Sequence, residues 1–246
     1  MKPCLLIPIY NHGATIAEVV SALSPLGLPC LIVDDGSDDD TRAALIELEA
    51  AHSWVRVERR SPNAGRGVAL RVGYRLAAQL GHSHVVQIDA DGQHDARDVP
   101  VLLEAARQRP GALVLGAPLF DDSAPAGRRY GRWLSRVWVW VETCSLEIRD
   151  PLCGLRCLPL EPTLRILDAV ACGDRMDFDP EIAVRLVWAG VPVVNVPTRV
   201  RYFDGGISHF DLVRDNLRIS WLHTRLFFGM LPRSGRLLAR QLWESA

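Results

Sequence analysis

The chain is short of most features that would assign its class at once. Of its 28 basic residues only Lys2 is a lysine. Basic and acidic residues nearly cancel, for a net charge of −1, so no field that gathers nucleic acid is expected. The six cysteines contain no C-x-x-C pair. Cys153 and Cys157 lack a second ligand pair, which argues against zinc and for reduced, cytoplasmic thiols. No uninterrupted apolar run reaches the length of about 18 residues that a membrane-spanning helix needs. Neither G-x-G-x-x-G nor a P-loop occurs, so a dinucleotide fold is not indicated. There is no internal repeat, low-complexity tract or clear linker. The opening residues carry a short apolar run without a cleavage-like site, and read as a strand, not a signal peptide.

What is present is ample core material. The 246 residues are 48% hydrophobic, enough for one α/β domain or two small ones. Apolar runs at 4–9, 29–33, 55–58 and 85–88 read as strands. Helical spacing falls between them, at 15–26, 42–52 and up to Leu80. Strands alternating with helices predict a parallel sheet with right-handed crossovers. Beyond it, 98–108 reads as a helix, 111–116 as a strand and 120–127 as a polar loop. Residues 128–132 open a helix, 150–156 form a turn, and 177–181 precede a helix ending near Gly190. A strand at 192–197, a loop at 200–210 and an amphipathic helix at 212–231 complete the reading.

The chemistry gathers after the strand at 85–88, at Asp89-Ala90-Asp91-Gly92-Gln93. Ligands of open α/β sheets bind beyond the carboxyl ends of strands. Asp89 and Asp91 alternate along extended chain and share a face, and Gln93 follows as the loop turns. Three oxygen donors suit a hard cation, Mg²⁺ or Mn²⁺, and such a cation suits a diphosphate. The acidic run 34–40 has the bland reading of a helix cap. Arg128 and Arg129 read equally as a solvated helix end or as phosphate contacts. Asp179 and Glu181 are candidate general bases, although helix capping also suits Asp179.

Taken in order over roughly residues 3–210, these motifs resemble family 2 inverting glycosyltransferases of the GT-A fold. That is an α/β fold with a mostly parallel central sheet flanked by helices. The branch resembled holds the dolichyl- and polyprenyl-phosphate sugar synthases. The resemblance implies a nucleoside-diphosphate sugar as donor, with Mg²⁺ or Mn²⁺ as cofactor. It implies that Pro8, Tyr10 and Asn11 form a first nucleotide-binding turn, with His12 where a glutamate is common. Val33 and Asp35 are similar to the base-contacting strand end. Arg66, in Asn63-Ala64-Gly65-Arg66-Gly67, takes the place of a loop lysine. Asp89, Ala90, Asp91 and Gln93 resemble the metal-and-diphosphate loop, with Asp89, Asp91 and Gln93 on the metal and Asp91 in catalysis. Arg156 belongs to a turn similar to the acceptor-side turn. Asp179 and Glu181 lie in what resembles the later acidic motif. Ser208 and His209 resemble the Gly-x-Ser-Lys stretch near the donor phosphates, with histidine for lysine. Gly116-Ala117-Pro118 lacks the arginine of a Gly-Ser-Arg motif, a charge that Arg128, Arg129 or Arg132 could replace.

Two domains are expected: residues 1–210 as the transferase unit and 211–246 as a basic helical tail. From Arg199 onward eight arginines face four acids. Ile219, Leu222, Leu226 and Met230 recur at helical spacing among them. An apolar stripe flanked by arginines fits a helix lying on anionic lipid, and hence a protein held peripherally at the inner face of the cell membrane. Packing on the transferase unit or on a second subunit of a homo-oligomer is the bland alternative. The expected acceptor is a lipid-linked or polyprenyl phosphate. A transferase acting on a hydroxyl is the alternative, ahead of a non-catalytic nucleotide-sugar binder or a nucleotidyltransferase.

Overall fold

In a computed structural model the protein is described at residues 1–119, 126–201, 211 and 213–244, with backbone alone at 126–129 and 242–244. The strands are β1 (Pro3–Ile9), β2 (Cys30–Asp35), β3 (Val55–Arg60), β4 (His84–Gln87), β5 (Leu113–Leu119), β6 (Arg156–Pro159) and β7 (Val193–Arg199). The helices are α1 (Gly13–Leu23), α2 (Asp39–Ala51), α3 (Arg66–Gln79), α4 (Val99–Gln108) and α5 (Ala126–Thr143). They continue with α6 (Leu160–Ala169), α7 (Phe178–Trp188), α8 (Arg214–Met230) and α9 (Ser234–Glu244).

The strands form one sheet in the order β3-β2-β1-β4-β6-β5-β7. All pairings are parallel except those of β6, which runs antiparallel between β4 and β5. The continuous apolar runs of β1 and β2 are explained by burial on both faces. One core lies beneath α1, α2 and α4, with Ile16, Leu45 and Leu102 against Ile7 and Ile32. A second lies beneath α3 and α5 to α9, with Leu70, Phe178 and Leu226 against Leu6 and Val33.

Two elements differ from the expected reading. The segment 150–156 is not all turn: Arg156 opens β6, and α6 follows. Four residues bounded by a proline carry too little periodicity to announce a strand. Asp179 and Glu181 do not precede a helix but lie within its first turn, because α7 begins at Phe178.

The tail also differs from the simple stripe. Leu222, Leu226 and Met230 are buried in the same core as Phe178 and Trp188. The stripe expected on lipid is therefore the packing side of α8. The exposed side carries Leu217, Trp221 and Phe228 instead, the last two 63% and 64% exposed. No helix among the described residues is long and apolar enough to cross a membrane. The six cysteines are free thiols, five of them buried, and burial pushes Cys153 and Cys157 up to about 12, so they are inert at neutral pH.

Candidate active site

The first two strand ends are stapled together. Asn11, at φ 54°, donates its backbone N–H to Ser37 Oγ at 3.0 Å, and its Oδ1 accepts from the Asp38 N–H at 2.9 Å. Asp34 accepts from the Ser37 N–H at 2.9 Å and pairs with Arg59 at 3.3 Å. Asp35 is equally engaged. Its Oδ2 accepts from the Gly65 N–H at 2.6 Å, and its Oδ1 takes Arg60 at 2.8 Å. The expected base-contacting aspartate thus orders the loop before α3. That loop needs Gly65, whose φ of 110° is strained for any L side chain.

Arg66 stands at the start of α3 and points into the sheet end. Its Nη2 lies 2.6 Å from Asp89 Oδ1 and its Nε 2.9 Å from Asp179 Oδ2. Asp179 is held from behind: Gln87 Nε2 donates to its Oδ1 at 3.1 Å, and Arg156 Nη1 lies 3.4 Å away. Tyr74 in turn donates to Gln87 Oε1 at 2.5 Å. Burial works against charge on Arg66, but Asp89 and Asp179 outweigh it and keep the guanidinium firmly protonated. Burial likewise opposes ionisation of Asp89, yet Arg66 and His94 hold its carboxyl well below the usual range. Asp89 also rests on Gly154. A Cβ there would come within 1.9 Å of Asp89 Oδ2, so the turn expected to serve the acceptor is first the backing of this carboxylate.

Asp91 has the opposite electrostatics. Burial and the charge of Asp89 raise its pKa, with the Gln93 N–H on its Oδ1 at 3.0 Å a smaller opposing influence. It opens on a cavity of about 700 Å³, lined also by Asn11, His12, Gln93, His94 and Arg201. Val33, Asp35 and Arg66 do not line this cavity. Asp89 joins the two groups, touching Arg66 on one side and His94 Nε2 at 3.6 Å on the other.

Among the described residues no three His, Cys, Asp or Glu side chains are gathered as a ready metal cluster. The donors present nonetheless fit a hard divalent ion. Two carboxylates and an amide are all oxygen ligands. The mutual repulsion that raises Asp91 is what a cation relieves. Magnesium-type sites commonly take one or two carboxylates and complete the shell with water and substrate phosphates.

Several expected contacts are turned inward. Arg156 is fully buried and donates to the carbonyls of Pro151, Cys153 and Asp179, so it is a strut of the turn and not a ligand contact. Glu181 is fully buried too. Its Oε1 accepts from Arg185 at 2.6 Å, and its Oε2 from the Gly173 N–H at 2.8 Å and from Arg225 at 3.3 Å. It ties α7 to α8 and offers no free oxygen to an acceptor. Pro8 and Val33 are buried in paired register in β1 and β2. Ala90 is buried, its carbonyl accepting from the Thr15 hydroxyl at 2.7 Å, and Tyr10 is half-buried just past the end of β1. Arg132 is taken by Asp150 at 2.6 Å. The side chains of Arg128 and Arg129, and the whole of Ser208 and His209, lie outside the described residues.

Tyr74, Gln87 and His94 carry no role in the motifs read from the sequence, and Gly154 enters there only as part of the acceptor-side turn. Gln87 carried the one available signal, a polar residue inside an otherwise apolar strand, which is costly unless hydrogen-bonded. Tyr74 and Gly154 are brought in by packing, and His94 by the loop that also carries Asp89 and Asp91.

The model of the family described as "Glycosyl transferase family 2" matches residues 4–153. The chain is 35% identical over 224 residues to the polyprenol monophosphomannose synthase of Mycolicibacterium smegmatis, covering 84% of this chain and 80% of that one. It is 28% identical over 205 residues to the undecaprenyl-phosphate mannosyltransferase of Micrococcus luteus, covering 80% and 82%. Among solved structures, glucosyl-3-phosphoglycerate synthase from Mycobacterium tuberculosis, in complex with Mn²⁺, UDP and glucosyl-3-phosphoglycerate, superposes with a TM-score of 0.62. That match has 24% identity and covers 95% of this chain and 80% of the other, a likeness of fold. The expected GT-A architecture is borne out.

Proposed function

The chain belongs to glycosyl transferase family 2, and on that premise we propose that it moves a sugar from a nucleoside-diphosphate donor to a polyprenyl phosphate, with inversion and with a divalent metal. The observation that carries the reading is the Asp89–Asp91 pair. One carboxylate is held by an arginine, and the other, raised by burial and by the charge of its neighbour, lines a cavity large enough for a small ligand. Mg²⁺ or Mn²⁺ held by Asp89 and Asp91, with Gln93 beside them, would supply Lewis-acid stabilisation of the departing diphosphate. Arg66 adds a guanidinium suited to a phosphate oxygen. The Asn11–Ser37–Asp38 staple fixes Asn11 in the wall of the cavity, and the Asp35-ordered loop fixes the start of α3, from which Arg66 reaches Asp89. The bond from the anomeric carbon to the diphosphate oxygen breaks, and its electron pair leaves with the nucleoside diphosphate. An acceptor oxygen bonds to the same carbon from the opposite face.

Support for a phosphate acceptor comes from the two candidate bases. Asp179 is bound by Arg66 and Gln87, and Glu181 by Arg185, Arg225 and Gly173. An ionised lipid phosphate needs no proton removed, whereas a hydroxyl does. The name of the 35% identical relative points the same way. The test is transfer by purified full-length protein from labelled GDP-mannose or UDP-glucose, with Mn²⁺ and a polyprenyl phosphate. Label should enter the organic-extractable fraction and stay out of it when excess chelator is added. Transfer only to water-soluble hydroxyl acceptors, or full turnover in chelator, would sink the respective half of the proposal.

The exposed side of α8 supports peripheral membrane contact. Trp221 and Phe228 are exposed on α8, which also carries Arg214 and Arg218, an arrangement drawn to anionic lipid. Replacing both aromatics with serine should weaken binding to anionic vesicles about tenfold or more, since burying one such side chain is worth about 1.5–3 kcal/mol. Equal flotation of variant and wild type would exclude this face as the contact.

A further inference from the structure

The position of Arg66 is built, not incidental. Its guanidinium spans two carboxylates, Asp89 at 2.6 Å and Asp179 at 2.9 Å, and its side chain is only 17% exposed. Asp179 is the fixed end of that span. It is anchored by Gln87 at 3.1 Å, which Tyr74 holds in turn, and by Arg156 within 3.4 Å. Asp89 is seated against Gly154, where any Cβ would collide with its carboxylate. A full positive charge therefore sits on one of the two carboxylates assigned to the metal.

We propose that Arg66 is an internal counter-cation that holds Asp89 closed to a divalent ion until a nucleoside diphosphate arrives, so that metal and donor bind as a coupled pair. This rests on the metal-dependent donor reading above. Two cations compete for one carboxylate. A metal ion entering alone must share Asp89 with a guanidinium of the same sign, or displace it from a partner it meets at 2.6 Å. A diphosphate changes the balance because it gives the fork of Arg66 a substitute anion. Asp89 is then released toward the metal, and the metal gains phosphate oxygens at the same moment. Coupling of this kind is reciprocal: whatever factor the diphosphate adds to metal affinity, the metal adds to diphosphate affinity. The cell's free divalent cations would then leave the donor-free enzyme largely unoccupied, and the site would assemble only around donor. Arg66 acts in this through Asp89, as a positioning residue, before it meets the phosphate.

The test is Mn²⁺ binding to full-length protein, followed by the electron-paramagnetic-resonance signal of free Mn²⁺, with Mn²⁺ alone and with GDP or UDP. Wild type should bind Mn²⁺ weakly alone and about tenfold or more tightly with the diphosphate it accepts, within the usual range of coupling. Arg66→Met should bind Mn²⁺ alone about tenfold more tightly than wild type and lose most of the enhancement by diphosphate. Arg66→Lys keeps the charge but cannot span both carboxylates, and should fall between the two; if the methionine variant does not fold, the lysine variant decides. Mn²⁺ affinity in these variants equal to or below wild type overturns the proposal, because a merely structural Arg66 would give that result. Asp91→Asn serves as the separate control. If it binds Mn²⁺ as wild type does, the metal reading itself fails, and the coupling with it.

Discussion

Asp91→Asn should remove sugar transfer and at the same time make the metal-free protein more stable. The loss should be about two to three orders of magnitude or more, the scale on which one electrostatic contact to a leaving group is worth. The gain follows from the sign of the Asp91 shift. Burial and the neighbouring charge of Asp89 raise its pKa, so the ionised form is disfavoured in the folded chain relative to the unfolded one. Ionised Asp91 therefore opposes folding above the ordinary carboxylate range, and the opposition fades as pH falls and the group takes up its proton. A neutral isostere removes it at pH 7. For a chain of this length each 1 kcal/mol gained moves Tm by roughly 2–4 °C. Asp89 has the opposite sign. Its lowered pKa contributes stability above the ordinary range that is lost as pH falls, so Asp89→Asn should lower Tm at pH 7. Melting curves of both variants at pH 7 and near pH 4, without metal, check this. An Asp91→Asn protein that melts below wild type at pH 7 would show that its carboxylate is a structural partner and not a strained ligand.

This pair was legible in the sequence because it needs only local information. A buried strand ends, two acids alternate, a glycine turns the chain, and the carboxyl end of a strand in an α/β sheet is where ligands go. β1, β2 and β4 were legible for a related reason, since strands buried on both faces read as continuous apolar runs. What the sequence did not disclose is which polar groups spend their bonds on each other. Asp179 and Glu181 look like one acidic motif. On α7, residues two apart point about 200° apart, so one meets Arg66 and the other meets α8. Arg156 looks like a ligand contact until β6 carries it under the turn, where three carbonyls consume it. The α8 stripe was correctly periodic, but periodicity does not say whether the apolar side faces lipid or protein. Each of these depends on the distant element packed alongside, and a single sequence does not show that.

Glu181→Gln turns that ambiguity into a measurement. Four donors converge on this buried carboxylate: Arg185 Nε and Nη2, the Gly173 N–H and Arg225 Nη2. An amide has one acceptor oxygen and brings an NH₂ of its own, so at least one donor meets another donor. It also leaves Arg185, whose side chain is only 16% exposed, without its opposite charge. Removing one partner of a buried ion pair costs about 3–5 kcal/mol, and the partial exposure of Arg225 argues for the lower end. At roughly 2–4 °C per kcal/mol, that is a fall in Tm of at least about 6 °C. The rate per folded molecule should stay within about tenfold of wild type, well short of the two to four orders lost with a general base. Melting curves and initial rates on the same preparation, corrected for folded fraction, separate the two effects. An unchanged Tm with a rate down by two orders or more would restore Glu181 as the base, and with it a hydroxyl in place of the lipid phosphate as acceptor.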